Sequence, residues 1–292
     1  MSSRLSQLAK ENEEIAERGA YLGPRGAVVA IGEQLAAARA GTVCHPPEGP
    51  TGAPSAGPGA PVLEVTAEGS LQAAARLVRE NGGSAAGSVG VLTFASARNP
   101  GGGYLRGARA QEEDLCRTAL LYQCLLAVPD YYAAHRASAD LRYSHRVIFS
   151  PAVPVIRDEH GELLARPYPV SFLTSAAPNA GQLALRGELR GELRDQDGEL
   201  RVLLAERAGR VLAVAARHGV RQLVLGAWGC GVFRNDPAQV AGAFEVALAS
   251  SGGAFERVVF AVRDRAKVSA NRAAFEARFG LSLSGRGGCR PA

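Results

Sequence analysis

Apolar residues fall along this chain in two rhythms. Short continuous runs at 62–66, 89–95, 146–150, 168–175, 221–228 and 258–262 predict strands, most of them buried on both faces. Between the runs, apolar positions recur at helical spacing. A first amphipathic helix is expected over 3–19, with Leu5, Leu8 and Ile15 on one side and Gly19 at its stop. A short strand at 28–31 and a second helix at 32–40 follow. Leu71, Ala74, Ala75 and Val78 mark a helix that ends at Asn81-Gly82-Gly83. Leu115, Ala119, Tyr122 and Leu126 predict one helix ending near Pro129. Further helices are expected at 199–218, at 237–250 with Asp236 as N-cap and Pro237 in the first turn, and at 269–279.

Four stretches break the pattern. Residues 46–61 are rich in Gly, Pro, Ala and Ser and read as a mobile loop. Residues 131–140 are polar without a clear period. Residues 153–158 read as an edge strand, because Pro154 cannot donate to a ladder. Residues 185–194 contain Arg-Gly-Glu-Leu twice and read as a solvated connection, since two copies are too few for a repeat architecture. Strands alternating with helices imply an α/β fold, a three-layer α/β/α sandwich. Strands at 146–150, 153–158 and 168–175 with no helix between them make its sheet mixed. Residues 1–61 are expected to form a helical extension and loop packed on a core of 62–292, in one compact unit.

Composition narrows the classes. A chain of 292 residues with 47% hydrophobic content can bury a sizeable core. The net charge of +5 is mild, and no basic stripe interleaved with aromatics argues for direct reading of nucleic-acid bases. Five cysteines, Cys44, Cys116, Cys124, Cys230 and Cys289, have no metal-site spacing and no accompanying His cluster. Neither a zinc site nor a disulfide framework is expected, and reduced thiols suit the cytoplasm. Residues 1–18 lack the apolar centre of a signal peptide, and no run approaches the roughly 18 apolar residues of a membrane span. A monomer is expected.

The chemistry gathers in two strand–loop–helix passages. Asn99-Pro100-Gly101-Gly102-Gly103 follows the run at 89–95 and leads to Gln111-Glu112-Glu113-Asp114 at a helix start. Glycines let backbone amides approach a ligand and take positive φ. Acids at a helix start also answer the helix dipole alone, so the acidic triplet admits a purely structural reading. The second passage, Gly229-Cys230-Gly231-Val232-Phe233, follows the run at 221–228 and offers N–H groups near a helix start, where anions bind. Neither loop carries the third glycine of a dinucleotide fingerprint, and no Gly-Lys-Ser/Thr is present for a phosphate loop. Ligands of open α/β sheets sit beyond the carboxyl ends of strands, where both loops fall.

The order glycine triplet, short spacer (Tyr104 to Ala110), Gln-Glu-Glu resembles the signature of poly(ADP-ribose) glycohydrolases, and most closely the shorter bacterial type built on a macrodomain. The resemblance implies a macrodomain-type sandwich and hydrolysis of ribose–ribose O-glycosidic bonds of poly(ADP-ribose), releasing ADP-ribose without metal or other cofactor. By the family pattern Glu113 is the general acid and then the base for water, and Glu112 holds ribose hydroxyls of the leaving unit. Adjacent helical residues diverge by about 100°, so the two cannot flank the sugar as a standard glycosidase pair does. Desolvation and a second carboxylate should keep the acid protonated at neutral pH. The resemblance has Asn99 hydrogen-bond the ribose and counts Gly101, Gly102, Gly103 and Gln111 with it among the ADP-ribose-binding residues. It places Gly229, Cys230, Gly231, Val232 and Phe233 around the diphosphate, with Phe233 packed on the ribose. Each has a bland alternative: Asn99 as a turn residue, Phe233 as a core aromatic, Cys230 as an inert buried thiol. Lys267 could meet a phosphate or be a solvated lysine, and Phe172, Phe260 and Val262 are candidate adenine walls. Two other functions share these residues: an ADP-ribose reader without hydrolysis, and a hydrolase of mono-ADP-ribosylated protein.

Overall fold

A computed structural model of the chain describes residues 2–49, 59–82, 88–187, 193–264 and 268–280. Its main sheet has seven strands: β3 (Val43–His45), β4 (Val62–Thr66), β5 (Val89–Phe94), β6 (Val147–Arg157), β7 (Leu163–Ser175), β8 (Gln222–Leu225) and β9 (Arg257–Ala261). In space they run β3-β6-β7-β5-β8-β9-β4. The β3, β6 and β7 pairings are antiparallel, and those from β7 through β5, β8 and β9 to β4 are parallel. A separate hairpin pairs β1 (Ala20–Leu22) with β2 (Val28–Ala30).

Alternation within the central strands builds the layers. Val89, Val91, Val224 and Val259 face one core, shared with α1 (Ser2–Arg18), α2 (Gly32–Ala40), α3 (Ser70–Glu80), α4 (Gln111–Thr118), α5 (Leu121–Leu125) and α6 (Pro129–Ala137). Leu92, Leu223, Leu225, Val258 and Phe260 face the other. That second core is covered by α8 (Leu193–Arg217), α9 (Pro237–Ser251) and α10 (Ala270–Phe279). The short α7 (Ala180–Leu185) starts from Asn179, whose Oδ1 accepts from the Gln182 N–H at 3.1 Å. The sandwich and its mixed sheet are those the sequence implies.

Several elements differ from the sequence expectation, each for a tertiary reason. The helix expected through 115–126 breaks at Ala119, which turns extended and bridges Val155 of β6. Leu120 N–H then donates to Pro154 O at 3.1 Å. Residues 153–157 are not a strand of their own but the edge half of β6 (Val147–Arg157), past β3 and beyond a register shift between Ser150 and Val153, and the broken helix covers that outer side. Pro154 faces Pro169 of β7, a pairing in which neither residue is asked to donate across the ladder. Pro129 opens α6 rather than closing a helix, and buries Tyr131, Tyr132 and His135. The long helix begins at Leu193, ahead of the expected 199. Most of the 46–61 loop, the middle of 185–194, and Lys267 lie outside the described residues.

The helix α1 fastens the strand–loop–helix passage after β5. Buried Asn12 donates to Cys116 O and Arg117 O at 3.3 and 2.8 Å, and its Oδ1 accepts from Arg157 Nε at 2.8 Å. Tyr104, next after the glycine triplet, donates its hydroxyl to Ala9 O and Glu13 Oε1, both at 3.1 Å.

Candidate active site

The parallel strands end on one edge of the sheet, and a cleft of about 1110 Å³ opens there. Its walls include Asn99, Gly102, Gly103, Gln111, Glu112 and Glu113 after β5, with Gly229, Gly231, Val232 and Phe233 after β8. The two loops foreseen from sequence thus meet in one place. Gly101 and Cys230 do not line it.

Glu112 and Glu113 stand in the first turn of α4 and are only 2% and 8% exposed. Glu113 Oε1 accepts from the Gly103 N–H at 2.9 Å, and Glu112 Oε2 from the Ser96 N–H at 2.6 Å. Their remaining oxygens, Glu113 Oε2 and Glu112 Oε1, are buried without a partner among the described residues. Burial, reinforced by the charge of Glu113, pushes the Glu112 carboxyl well above the usual range, against the pull of the Ser96 N–H.

The glycine triplet is set by these carboxyls. Gly102 has φ +59, and a Cβ there would lie 2.5 Å from Glu113 Oε1 and 3.2 Å from Glu112 Oε2. Gly101, at φ +62, backs onto Tyr122 and Cys116, where a Cβ would come within 2.9 Å of the tyrosine ring. Its part is to let the loop turn over α4. Gln111, on the cleft wall, is tied to the main chain. Its Oε1 accepts from Phe94 N–H at 2.8 Å, and its Nε2 donates to Leu92 O at 2.8 Å and Ser70 Oγ at 3.2 Å. The β5–β8 ladder ends at Val91, and the Gln111 amide supplies the missing partners beyond it. The side chain thereby fixes where α4 begins. Asn99 is exposed and turns its carbonyl to the Gly102 N–H at 3.0 Å.

The loop after β8 is held from behind. Asn235 Nδ2 donates to Pro178 O at 2.8 Å and Gly229 O at 3.1 Å, and Gly181 N–H donates to Phe233 O at 2.9 Å. Arg234 takes φ +56, a left-handed conformation uncommon for a residue with a side chain. The N–H groups of Gly231, Val232 and Phe233 are left with no acceptor among the described residues. Such a run of open amides is suited to an anion. Phe233 is half-buried, its ring 5.9 Å from that of Tyr143. The Cys230 side chain packs toward the α8–α9 core, where burial, with Asp236 nearby, pushes its thiol up to about 12. A thiol packed there, off the cleft wall, suits the structural reading of Cys230. His135, beside the Ser144 hydroxyl at 2.8 Å, is brought down to about 4, chiefly by burial and then by Arg207.

Of the candidate adenine walls, Phe172 and Phe260 are core residues with no exposed surface, and Val262 lines the cleft. Sequence reasoning missed Ser96, whose N–H holds Glu112, and Asn235, which sets the second loop. Neither stands out in composition or spacing. Among the described residues no group of three or more His, Cys, Asp or Glu side chains could hold a metal ion, and no helix is long and apolar enough to cross a membrane.

A mixed sheet between two helical layers, with a carboxyl pair and an open amide run at its parallel edge, is a macrodomain-like arrangement. A family model described as the microbial-type PARG catalytic domain matches residues 9–158, and the chain belongs to that poly(ADP-ribose) glycohydrolase family. The poly(ADP-ribose) glycohydrolase structure from Thermomonospora curvata is 46% identical, covers 95% of this chain and 100% of its own, and superposes with a TM-score of 0.84. The same enzyme bound to the inhibitor ADP-HPD gives 45% identity, the same coverage and a TM-score of 0.82. The Deinococcus radiodurans enzyme in complex with ADP-ribose gives 44% identity, 84% and 96% coverage, and a TM-score of 0.74. No curated protein matches the chain.

Proposed function

We infer that the protein hydrolyses ribose–ribose O-glycosidic bonds of poly(ADP-ribose), releasing ADP-ribose, with Glu113 as general acid and base. The observation that carries this reading is the buried carboxyl pair at the tip of α4, facing the same cleft as the open amides of Gly231, Val232 and Phe233. Those amides suit the diphosphate of a terminal ADP-ribose unit, and Phe233 the adjoining ribose. Asn99, exposed on the cleft wall, can reach the same sugar. Relatives with ADP-ribose and with ADP-HPD bound support this class of ligand.

Cleavage passes through an oxocarbenium-like state and needs a proton on the departing oxygen. Glu113 Oε2, buried and unpartnered, is the atom placed to deliver it and then to take a proton from water. Gly103 N–H fixes the other oxygen and so the plane of the carboxyl. Glu112, whose carboxyl is buried beside that of Glu113 and fixed by the Ser96 N–H, is placed to hydrogen-bond a ribose hydroxyl of the leaving unit. The site uses no metal in this scheme, and the unpaired buried thiols of Cys116 and Cys124 suit a reducing, cytoplasmic setting.

The test is Glu113→Gln, assayed for ADP-ribose release from polymer and for ADP-ribose affinity. Turnover should fall by about 10²-fold or more, with affinity changed little. Wild-type turnover by the variant would remove Glu113 from the chemistry.

A further inference from the structure

The arginines of the spacer between the glycine triplet and α4 have no part in the scheme above. Between Phe94 and Glu112 the sequence carries Arg98, Arg106 and Arg109 and no acid. Arg106 and Arg109 are exposed and line the same cleft as Glu112 and Glu113. The turn that bears them is firmly placed. Arg106 N–H and Ala108 N–H both donate to Gly103 O, at 3.0 and 3.1 Å, and Gly103 is the residue whose own N–H holds Glu113. Tyr104 pins the same turn to α1.

The layers say which side of the carboxyls this turn occupies. The open amides lead into α9, which packs on one face of the sheet; the arginine turn leads into α4 and touches α1, which pack on the other. Glu112 and Glu113 therefore share the cleft with the open amides toward α9 and with Arg106 and Arg109 toward α4, where Asp114, Asp158 and Glu159 also line the wall. Resting on the reading above, we propose that Arg106, with Arg109 beside it, forms a subsite for the diphosphate of the next ADP-ribose unit, on the leaving-group side of the scissile bond. The chemistry fits. Once the terminal unit's phosphates are on the α9 side, the chain leaving Glu113 emerges on the α4 side, and its next diphosphate lies a few bonds from the departing oxygen. A polyanion approaching buried carboxyls is repelled, and cations at the mouth offset that repulsion and raise the rate of encounter. The site would thus favour polymer over a single ADP-ribose conjugate, whose leaving group carries no such diphosphate.

The experiment compares Arg106→Glu, and Arg106→Ala combined with Arg109→Ala, with the parent chain. Three quantities are read: kcat/KM on polymer across a salt series, affinity for free ADP-ribose, and polymer binding in a Glu113→Gln background. At low salt the charge reversal should lower kcat/KM and polymer affinity roughly tenfold, and the gap should close as salt screens the rim. ADP-ribose affinity should stay within about twofold, because the subsite lies outside the terminal unit. Unchanged polymer affinity and salt dependence would overturn the inference, as would a parallel loss of ADP-ribose affinity, which would assign the arginines to the terminal unit. A parent chain that binds polymer but releases no ADP-ribose would sink the hydrolase reading instead, and the binding measurement would still decide on Arg106.

Discussion

Gly102→Ala puts the coupling between the glycine triplet and the carboxyls to the test. Two costs are separable in the structure. Backbone at φ +59 disfavours any residue with a Cβ, by about 1–2 kcal/mol. The added methyl would also sit 2.5 Å from Glu113 Oε1, which is held in place by the Gly103 N–H. Restoring an ordinary contact requires the carboxyl or the loop to move by about 0.9 Å, and a displacement near 1 Å at a reacting group is worth roughly 10² in rate. Gly219→Ala isolates the first cost: Gly219 has φ +73, nothing within 4 Å of its would-be Cβ, and no place in the cleft. Denaturant unfolding should show both variants destabilised by a similar 1–2 kcal/mol or so, with Gly102→Ala somewhat worse. ADP-ribose release at saturating polymer should fall about 100-fold in Gly102→Ala and hardly at all in Gly219→Ala. Full turnover by Gly102→Ala, or equal loss in both, would refute the coupling.

Other expectations follow from the same geometry. The Glu112 carboxyl is raised in the folded chain above its ordinary 4.5, so the folded state binds more protons there than the unfolded one. Stability should therefore decline as pH climbs from about 4.5 toward the folded value, by at most about 1.4 kcal/mol per pH unit from this group. Glu112→Gln should flatten that decline, its advantage over the parent growing with pH; parallel stability curves would show that the burial carries no such cost. Asn235→Ala removes the two hydrogen bonds that tie the second loop to Pro178 O and Gly229 O. It should cost about 1–3 kcal/mol and weaken ADP-ribose binding more than it slows the bound-state chemistry. A calorimetric titration that finds parental affinity would detach this side chain from the loop's function.

Local pattern carried much of the fold. The runs at 89–95 and 221–228, each leading through glycines to a helix, placed both walls of the cleft before any tertiary information. What stayed illegible depended on partners distant in sequence. The break at Ala119 exists because β6, more than thirty residues later, offers an outer edge and a proline carbonyl to cover. Gln111 sits in a signature beside two site carboxyls and yet serves the main chain of β5, because β8 leaves that strand after Val91. How deeply Glu112 and Glu113 are buried depends on what covers a short helix, which sequence adjacency does not give. Phe172 and Phe260 belong to strands covered on both faces, so their rings went to the cores rather than to a ligand.

A structure with ADP-ribose bound measures the central claim most directly. The account predicts the anomeric carbon of the terminal ribose in contact with the carboxyl of Glu113, and phosphate oxygens within hydrogen-bond distance of the Gly231, Val232 and Phe233 N–H groups. A sugar seated away from the tip of α4, or phosphates held elsewhere in the cleft, would contradict it.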